Sequence, residues 1–545
     1  MVERTSFADS AGGAARGLAG AAAIVALGFL GSRLLGVVRT ITIADAFGTS
    51  PEVSAFWVAF RLPDLVFQVL AGATLASAFI PTFARYVAQR GQEEAWRLAS
   101  SVLNIIAIAT VVFALVAFAL APVIIPLIAP GLGEETGRQE ELQGLAVELT
   151  RLMLLSPILF AVSGMVMGIL NARHSFLLPA LAPMLYNLGI IFGAVFLSGP
   201  WGVKGLAAGV VMGSALHLVV QLPGLVRAGM RYRLAADWRH PGVREVGRLM
   251  LPRTVGLAAA QANFVVAIFF ASRLGDETIS ALTYAWLLAT MPLALFGMAI
   301  STAVFPTLAE QAAADSTEAL RRTIAASLRF ILFLTIPASI GLVLLREPLV
   351  ALLLERGAFT AASTDITASA LAFYSAGLFA HATIEILSRG FYALGDTRTP
   401  VAMAVLSMVL NLLLSLALVG PLEHNGLALA LSAATIIEAC LLYVRLQRRL
   451  GGLEAGHLAN FLVRTGAAAA LMAGVVAPFV LGVDAANPFG SSTAWESLLV
   501  VVVASALGAA VFFVAAALLR CEEAWRVGQR LGLTGGGRRR WLRHG

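Results

Sequence analysis

Charge is scarce in this chain: Asp, Glu, Lys and Arg make up only 13% of its 545 residues. A soluble chain of this length would need several times more charge to cover its surfaces, so an ordinary soluble domain is excluded. Cysteine is scarcer still. The two present, Cys440 and Cys521, lie in or beside apolar stretches without metal or redox spacing, which excludes a disulfide framework and reads as packing. No Gly-rich phosphate loop, HExxH motif, nucleophile elbow or metal cluster occurs, so the sequence offers no foothold for enzyme chemistry and no cofactor. Segments of about ten alternating residues are also missing, which excludes a transmembrane β-barrel.

What is abundant is apolar sequence. Hydrophobic residues make up 59% of the chain and mean hydropathy is +0.86. Runs of roughly 20 apolar residues, each long enough to cross a bilayer as a helix, recur from end to end. They predict an all-α polytopic membrane protein of about fourteen spans. These run approximately over 19–45, 53–84, 98–128, 145–171, 177–198, 203–226, 245–272, 278–309, 319–345, 365–392, 400–420, 425–446, 460–483 and 495–519. The segment 1–17 is rich in small residues, and the apolar run after it has no clear cleavage site, so it reads as the first span of the mature protein.

The net charge is +7, but the basic residues are scattered in short loops, which speaks against nucleic acid. Arg85, Arg90 and Arg97 follow the second span, and Arg227, Arg231, Arg233, Arg239, Arg244 and Arg248 the sixth. Arg321 and Arg322, then Arg445, Arg448 and Arg449, then Arg538, Arg539, Arg540 and Arg543 continue the same parity. Basic residues favour one side by about four to one, which predicts both termini in the cytoplasm. The acidic stretch 131–148 falls on the opposite side and is expected there as a short helix or solvated loop.

An internal duplication is visible. Ser77-Ala-Phe-Ile-Pro-Thr-Phe-Ala84 matches Thr302-Ala-Val-Phe-Pro-Thr-Leu-Ala309, and Ser54-Ala55 matches Ser280-Ala281. Pro179 and Gly205-Leu206-Ala207 pair with Pro400 and Gly426-Leu427-Ala428 at equal internal spacing. An even number of spans separates equivalent points, so the repeats are parallel, as in transporters that alternate access between two lobes. The expected organisation is a lobe over 1–235, a second over 236–450, and two additional helices with a basic tail over 451–545.

A charge in a helix centre costs on the order of 3 kcal/mol and asks for a partner or a wet cavity. The first two spans hold Arg33, Arg39, Asp45, Arg61 and Asp64. Arg33 and Arg39 are roughly 9 Å apart along a helix and about 120° apart around it. Arg61 and Asp64, at i, i+3, are placed for a local ion pair across Pro63. Arginines not neutralised in this way make an anion-binding surface suited to a diphosphate. In the tenth span His381, Glu385 and Arg389 share one face; a Glu385–Arg389 ion pair and proton coupling through His381–Glu385 are both open readings.

Ser32-Arg33-Leu-Leu-Gly36-Val-Val-Arg39, Ala46-Phe47-Gly48, Phe60-Arg61-Leu62-Pro63-Asp64 and Ala78-Phe79-Ile80-Pro81 resemble the MurJ (MviN) lipid II flippase family. So do Glu355-Arg-Gly-Ala-Phe359, Phe391-Tyr-Ala-Leu-Gly395-Asp-Thr-Arg-Thr-Pro400 and Gly426-Leu-Ala428. The resemblance implies the MOP exporter superfamily fold, with two six-helix lobes and two C-terminal helices forming a lipid groove. It implies outward transfer of lipid II across the bacterial cytoplasmic membrane, with membrane lipids and cell-wall synthesis proteins as partners. Arg33 and Arg39 match cavity arginines of the family and Arg61 a basic position there, so these three are expected to bind the diphosphate, while the intramembrane charges Asp64, His381, Glu385 and Arg389 are expected in coupling or structural roles. Membrane potential or a monovalent cation would supply the driving force. The chain departs from the family at Ser54, where an acidic residue is usual, and at Phe67, Gln68, Trp286 and Leu287, where charged cavity residues are usual. These departures leave open another polyprenyl-diphosphate-linked saccharide. A cation-coupled drug exporter, which would want acidic cavity residues, and a non-transporting scaffold are the other readings.

Overall fold

A computed structural model describes residues 3–70, 73–453, 455–486 and 494–525, with side chains described for 24–68, 78–250, 261–453, 456–483 and 495–525. The arginine cluster at 538–543 and residues 487–493 lie outside the described residues. Helix is the only regular secondary structure among the described residues, as a chain must be whose backbone polar groups find no water in hydrocarbon. Among the described residues ten helices are long and apolar enough to cross a membrane, and an eleventh is obtained if the bent pair Ala361–Ser375 and Leu378–Ala393 is one span.

The main helices are α1 (Glu3–Phe47), α2 (Pro51–Leu70), α3 (Ala73–Ile128), α4 (Gln139–Met153), α5 (Leu155–Ala172), α6 (Leu177–Phe192), α7 (Val203–Val219) and α8 (Pro241–Ala271). They continue with α9 (Thr278–Ala289), α10 (Ala299–Ala313), α11 (Thr317–Leu344), α12 (Ala361–Ser375), α13 (Leu378–Ala393), α14 (Arg398–Leu450), α15 (Ala455–Ala486) and α16 (Ala494–Leu518). Helix α3 is broken at Gly91 (φ 83°, ψ 171°) and α14 at Glu423 (φ 50°, ψ −130°). With α14 counted as two spans, and α2 and α8 added to the apolar set, the predicted total of about fourteen is met.

The chain divides into two compact units, Met1–Ser280 with Arg356–Thr360, and Ala281–Glu355 with Ala361–Gly545. In the first unit α1 packs on α6, α3 on α5 and α8, and α6 on α7. Helix α8, expected from sequence in the second lobe, falls in this unit. The connection before it is strapped along α3: Tyr232 Oη donates to Asn104 Oδ1 at 2.7 Å, and Asn104 Nδ2 donates to the carbonyls of Arg233 and Ala235. Arg97 pairs with Asp237 at 3.3 Å, Arg233 with Glu93 at 2.5 Å, and Arg85 with Glu245. The acidic stretch is a turn over 131–137 followed by α4. Buried Asp276 clamps that turn by accepting from Gly133 N at 2.6 Å and Thr136 Oγ1 at 2.7 Å. Glu52 and Glu141 hold Arg138 beside it, and hydrogen bonding to Glu141, then Glu52, raises the Arg138 guanidinium above its ordinary range.

In the second unit α13 packs on α14 and α11, and α15 packs on α16 and α11. The segment Gly395-Asp-Thr-Arg-Thr-Pro400 is a helix start. Burial alone would raise the Asp396 carboxyl, but hydrogen bonds from Thr399, the charge of Arg449 and the Arg398 amide together hold it below the usual carboxylate range.

The duplication recurs in local geometry. Gly202 (φ 55°, ψ −141°) and Glu423 share one unusual backbone conformation, at the same sequence offset that separates Pro179 from Pro400. A Cβ on Gly205 would stand 2.2 Å from the Leu197 carbonyl oxygen, and one on Gly426 2.3 Å from that of Leu418. Only glycine allows either approach.

Candidate functional site

The charged residues of the first spans are distributed by the packing of α1 on α6. Gly28 sits against Ala180, Gly31 against Met184, and Asn187 Nδ2 donates to the Ser32 carbonyl at 3.3 Å. Arg39 lies about 20° from Gly28 around the helix, on the α6 side, and Arg33 about 140° away. Arg39 is accordingly half-buried and within electrostatic range of the Tyr186 hydroxyl. Arg33 is exposed, with its guanidinium 5.1 Å from the Phe29 ring.

On α2, Arg61 and Asp64 are both half-buried. The Arg61 guanidinium lies 4.6 Å from the ring centroid of Phe264 on α8. Asp64 feels the Arg61 charge and accepts hydrogen bonds from Gln261 Nε2, at 2.9 Å, and from Gln68. Tyr186 is within electrostatic range of both Arg39 and Asp64. Three helices, α1, α2 and α6, thus bring Arg39, Tyr186, Asp64 and Arg61 into one polar cluster inside an apolar unit, with Gln261 and Phe264 of α8 beside it. Arg33 is outside that cluster, on another side of α1. Two cations against one carboxylate leave the cluster with surplus positive charge, and planar guanidinium groups present paired donors that match phosphate oxygens.

Tyr186, Gln261 and Phe264 were not singled out from sequence. The available signal was a tyrosine hydroxyl and a glutamine amide in apolar spans, groups that need partners in lipid. The positions that depart from the resembled family have structural occupations. Phe67 packs on Phe160 at 4.9 Å, which in turn packs on Tyr186 at 4.9 Å. Gln68 serves Asp64. Ser54 is buried and hydrogen-bonded to Ser280 at 3.0 Å, and Trp286 packs against Tyr374 and His381, at 5.4 Å from each.

The second predicted group lies in the second unit. Glu385 and Arg389 are paired at 3.7 Å, and Arg389 Nη2 also donates to Thr302 Oγ1 at 3.3 Å. His381 is directed elsewhere, with its Nε2 3.3 Å from Thr435 Oγ1. The same unit holds an apolar cavity of about 460 Å³ between α11, α15 and α16, lined by residues including Phe333, Pro337, Leu342, Met472, Phe512 and Phe513.

Comparison with known proteins adds to this geometry. Residues 43–484 match the family model described as "Lipid II flippase MurJ". The chain is 32% identical over 451 residues to the lipid II flippase MurJ of Burkholderia cenocepacia, covering 82% of this chain and 87% of that one. It is 30% identical over 533 residues to the probable lipid II flippase MurJ of Synechocystis, covering 95% and 98%. Among solved structures it is similar to a lipid II flippase MurJ in an inward closed conformation, with TM-score 0.75 and 23% identity over 93% of this chain and 99% of that one. It is also similar to an inward-facing MATE family transporter of the MOP superfamily, with TM-score 0.63 and 17% identity over 78% and 96%. At these identities the structural likeness speaks for the fold.

Proposed function

The chain belongs to the lipid II flippase MurJ family, and from that premise we propose that it carries lipid II from the inner to the outer leaflet of the bacterial cytoplasmic membrane by alternating access. The observation that carries this reading is the Arg39–Tyr186–Asp64–Arg61 cluster, a net cationic site built inside an apolar unit. Arg39 and Arg61 hold the diphosphate, Asp64 and Gln261 orient Arg61, and Arg33 contributes from the adjoining side of α1. The polyprenyl tail needs an apolar path, and the cavity of about 460 Å³ beside α15 and α16 supports that assignment. His381, Glu385 and Arg389 serve coupling or structure in the second unit. Both termini lie in the cytoplasm in this reading, which the parity of the arginine-rich loops supports.

A second reading has its own support. Phe67, Gln68, Trp286 and Leu287 replace charges usual in the family, which favours a headgroup with fewer ionic contacts, such as another polyprenyl-diphosphate-linked saccharide.

The test is lipid II flipping in proteoliposomes of purified protein. Arg39→Ala and Arg61→Ala each remove a charge-assisted phosphate contact worth about 1.5–3 kcal/mol, a loss of roughly ten- to hundred-fold in rate at low substrate. Membrane abundance stays normal. Unchanged flipping in both variants would exclude this site, and flipping of a different lipid-linked saccharide alone would favour the second reading. A scaffold would tolerate both substitutions and flip nothing.

A further inference from the structure

Glu438 stands near the middle of the second arm of α14, roughly 10 Å before Arg445 along the helix. A carboxylate at that depth costs on the order of 3 kcal/mol. Among the described residues no lysine or arginine pairs with it. Its partner is the hydroxyl of Ser407, 4% exposed, on the first arm of the same helix.

One turn back on the same face is Thr435, 2% exposed, whose hydroxyl donates to the Leu431 carbonyl at 2.8 Å. That leaves Thr435 Oγ1 to accept from His381 Nε2 at 3.3 Å. His381 in turn lies against Trp286, which packs on Tyr374. Glu385 and Arg389, on the same helix as His381, are engaged with each other at 3.7 Å. Other ionisable groups on the packed elements, among the described residues, include Tyr374 on α12 and Cys440, Tyr443 and Arg445 on α14.

The duplication relates these positions to a packed node of the first unit. At the Pro179-to-Pro400 offset, His381, Ser407 and Glu438 correspond to Phe160, Tyr186 and His217. In the first unit the Phe160 ring touches both Tyr186, at 4.9 Å, and His217, at 5.1 Å. Positions that form a packed aromatic node in one repeat therefore carry His381, Ser407 and Glu438, all with exchangeable protons, in the other.

We propose that His381, Thr435, Ser407 and Glu438 form a proton-binding site, with the Glu438 carboxyl as the carrier. In the occupied state the carboxyl is neutral. In the emptied state the proton passes to water, and the Ser407 hydroxyl turns to donate to the carboxylate left behind. Proton binding here stands without any assumption about cargo; its use to drive export rests on the transport function proposed above.

Infrared difference spectroscopy on the full chain in proteoliposomes, titrated with pH, tests this. The wild type is expected to show a protonated-carboxyl stretch at neutral pH that shifts in heavy water. Glu438→Gln loses that band and Glu385→Gln retains it, while His381→Gln shifts the pH at which it titrates. A band absent from the wild type, or retained in Glu438→Gln, overturns the site. Erosion of the band by sodium at fixed pH also overturns it, in favour of a metal cation. A band behaving as described in a protein that flips no lipid refutes the transport reading alone. Normal flipping without the band refutes the proton site alone.

Discussion

Asp396 shows how much one side chain does at the edge of the bilayer. Its carboxylate caps the start of α14 through the Arg398 and Thr399 amides, binds the Thr399 hydroxyl and meets Arg449. Because these contacts outweigh burial and lower its folded pKa, the stability they add is present above the unfolded value of about 3.9. It is lost as pH falls through the lowered folded value. Asp396→Asn is expected to cost about 0.5–2 kcal/mol at neutral pH. The melting difference from wild type should shrink below about pH 4. A constant difference across that range would show that charge is not what Asn lacks. At this scale the sequence was partly readable. Arg39, Arg61 and Asp64 stood out because an ionised side chain in a span has to be accounted for. Tyr186, Gln261 and Phe264 did not, because which neutral polar or aromatic group reaches a charge is decided by how α6 and α8 pack, and periodicity carries no record of that.

Elements were legible where long apolar runs are separated by charged or turn-forming residues. The breaks at Gly91 in α3 and Glu423 in α14 fall between the expected spans 53–84 and 98–128, and 400–420 and 425–446. What the sequence did not carry is the backbone conformation at the second break, where Gly202 and Glu423 occupy equivalent places with matching dihedrals. Glutamate pays a steric penalty there that glycine avoids, roughly 1–2 kcal/mol. Glu423→Gly should therefore raise the melting temperature of the purified protein, and a fall would mean that the Glu423 side chain contributes more than its backbone costs. The glycine at the helix crossing behaves in the opposite sense. Gly205→Ala forces a methyl into the Leu197 carbonyl and is expected to destabilise by about 1–3 kcal/mol. Gly199→Ala, where no atom stands within 4 Å of the added carbon, serves as the neutral control.

At the scale of the whole molecule, composition sufficed for the class of protein, and the fold followed from the count and parity of spans. The division into units was harder to read. Contacts such as Arg85–Glu245 and Arg97–Asp237 tie α8 and its preceding strap to α3, and pairings across so many residues leave no local pattern. The transport reading makes a prediction at this scale. A potential negative inside is worth about 2.3 kcal/mol per charge per 100 mV. It favours outward movement of an anionic headgroup, or return of an emptied cationic site. Net export in proteoliposomes should accelerate when such a potential is imposed and slow when it is reversed. Flipping indifferent to the sign of the voltage would contradict the proposed direction of coupling.

The turn at Glu423 also bears on how the protein is made. With Gly426 packed on the Leu418 carbonyl, the two arms of α14 meet within a few residues and leave no slack between them. The ribosome-bound chain would then hand residues 398–450 to the insertion machinery as a preformed hairpin, both arms entering together. A glycosylation or cysteine-labelling tag placed in this turn would pry the arms apart.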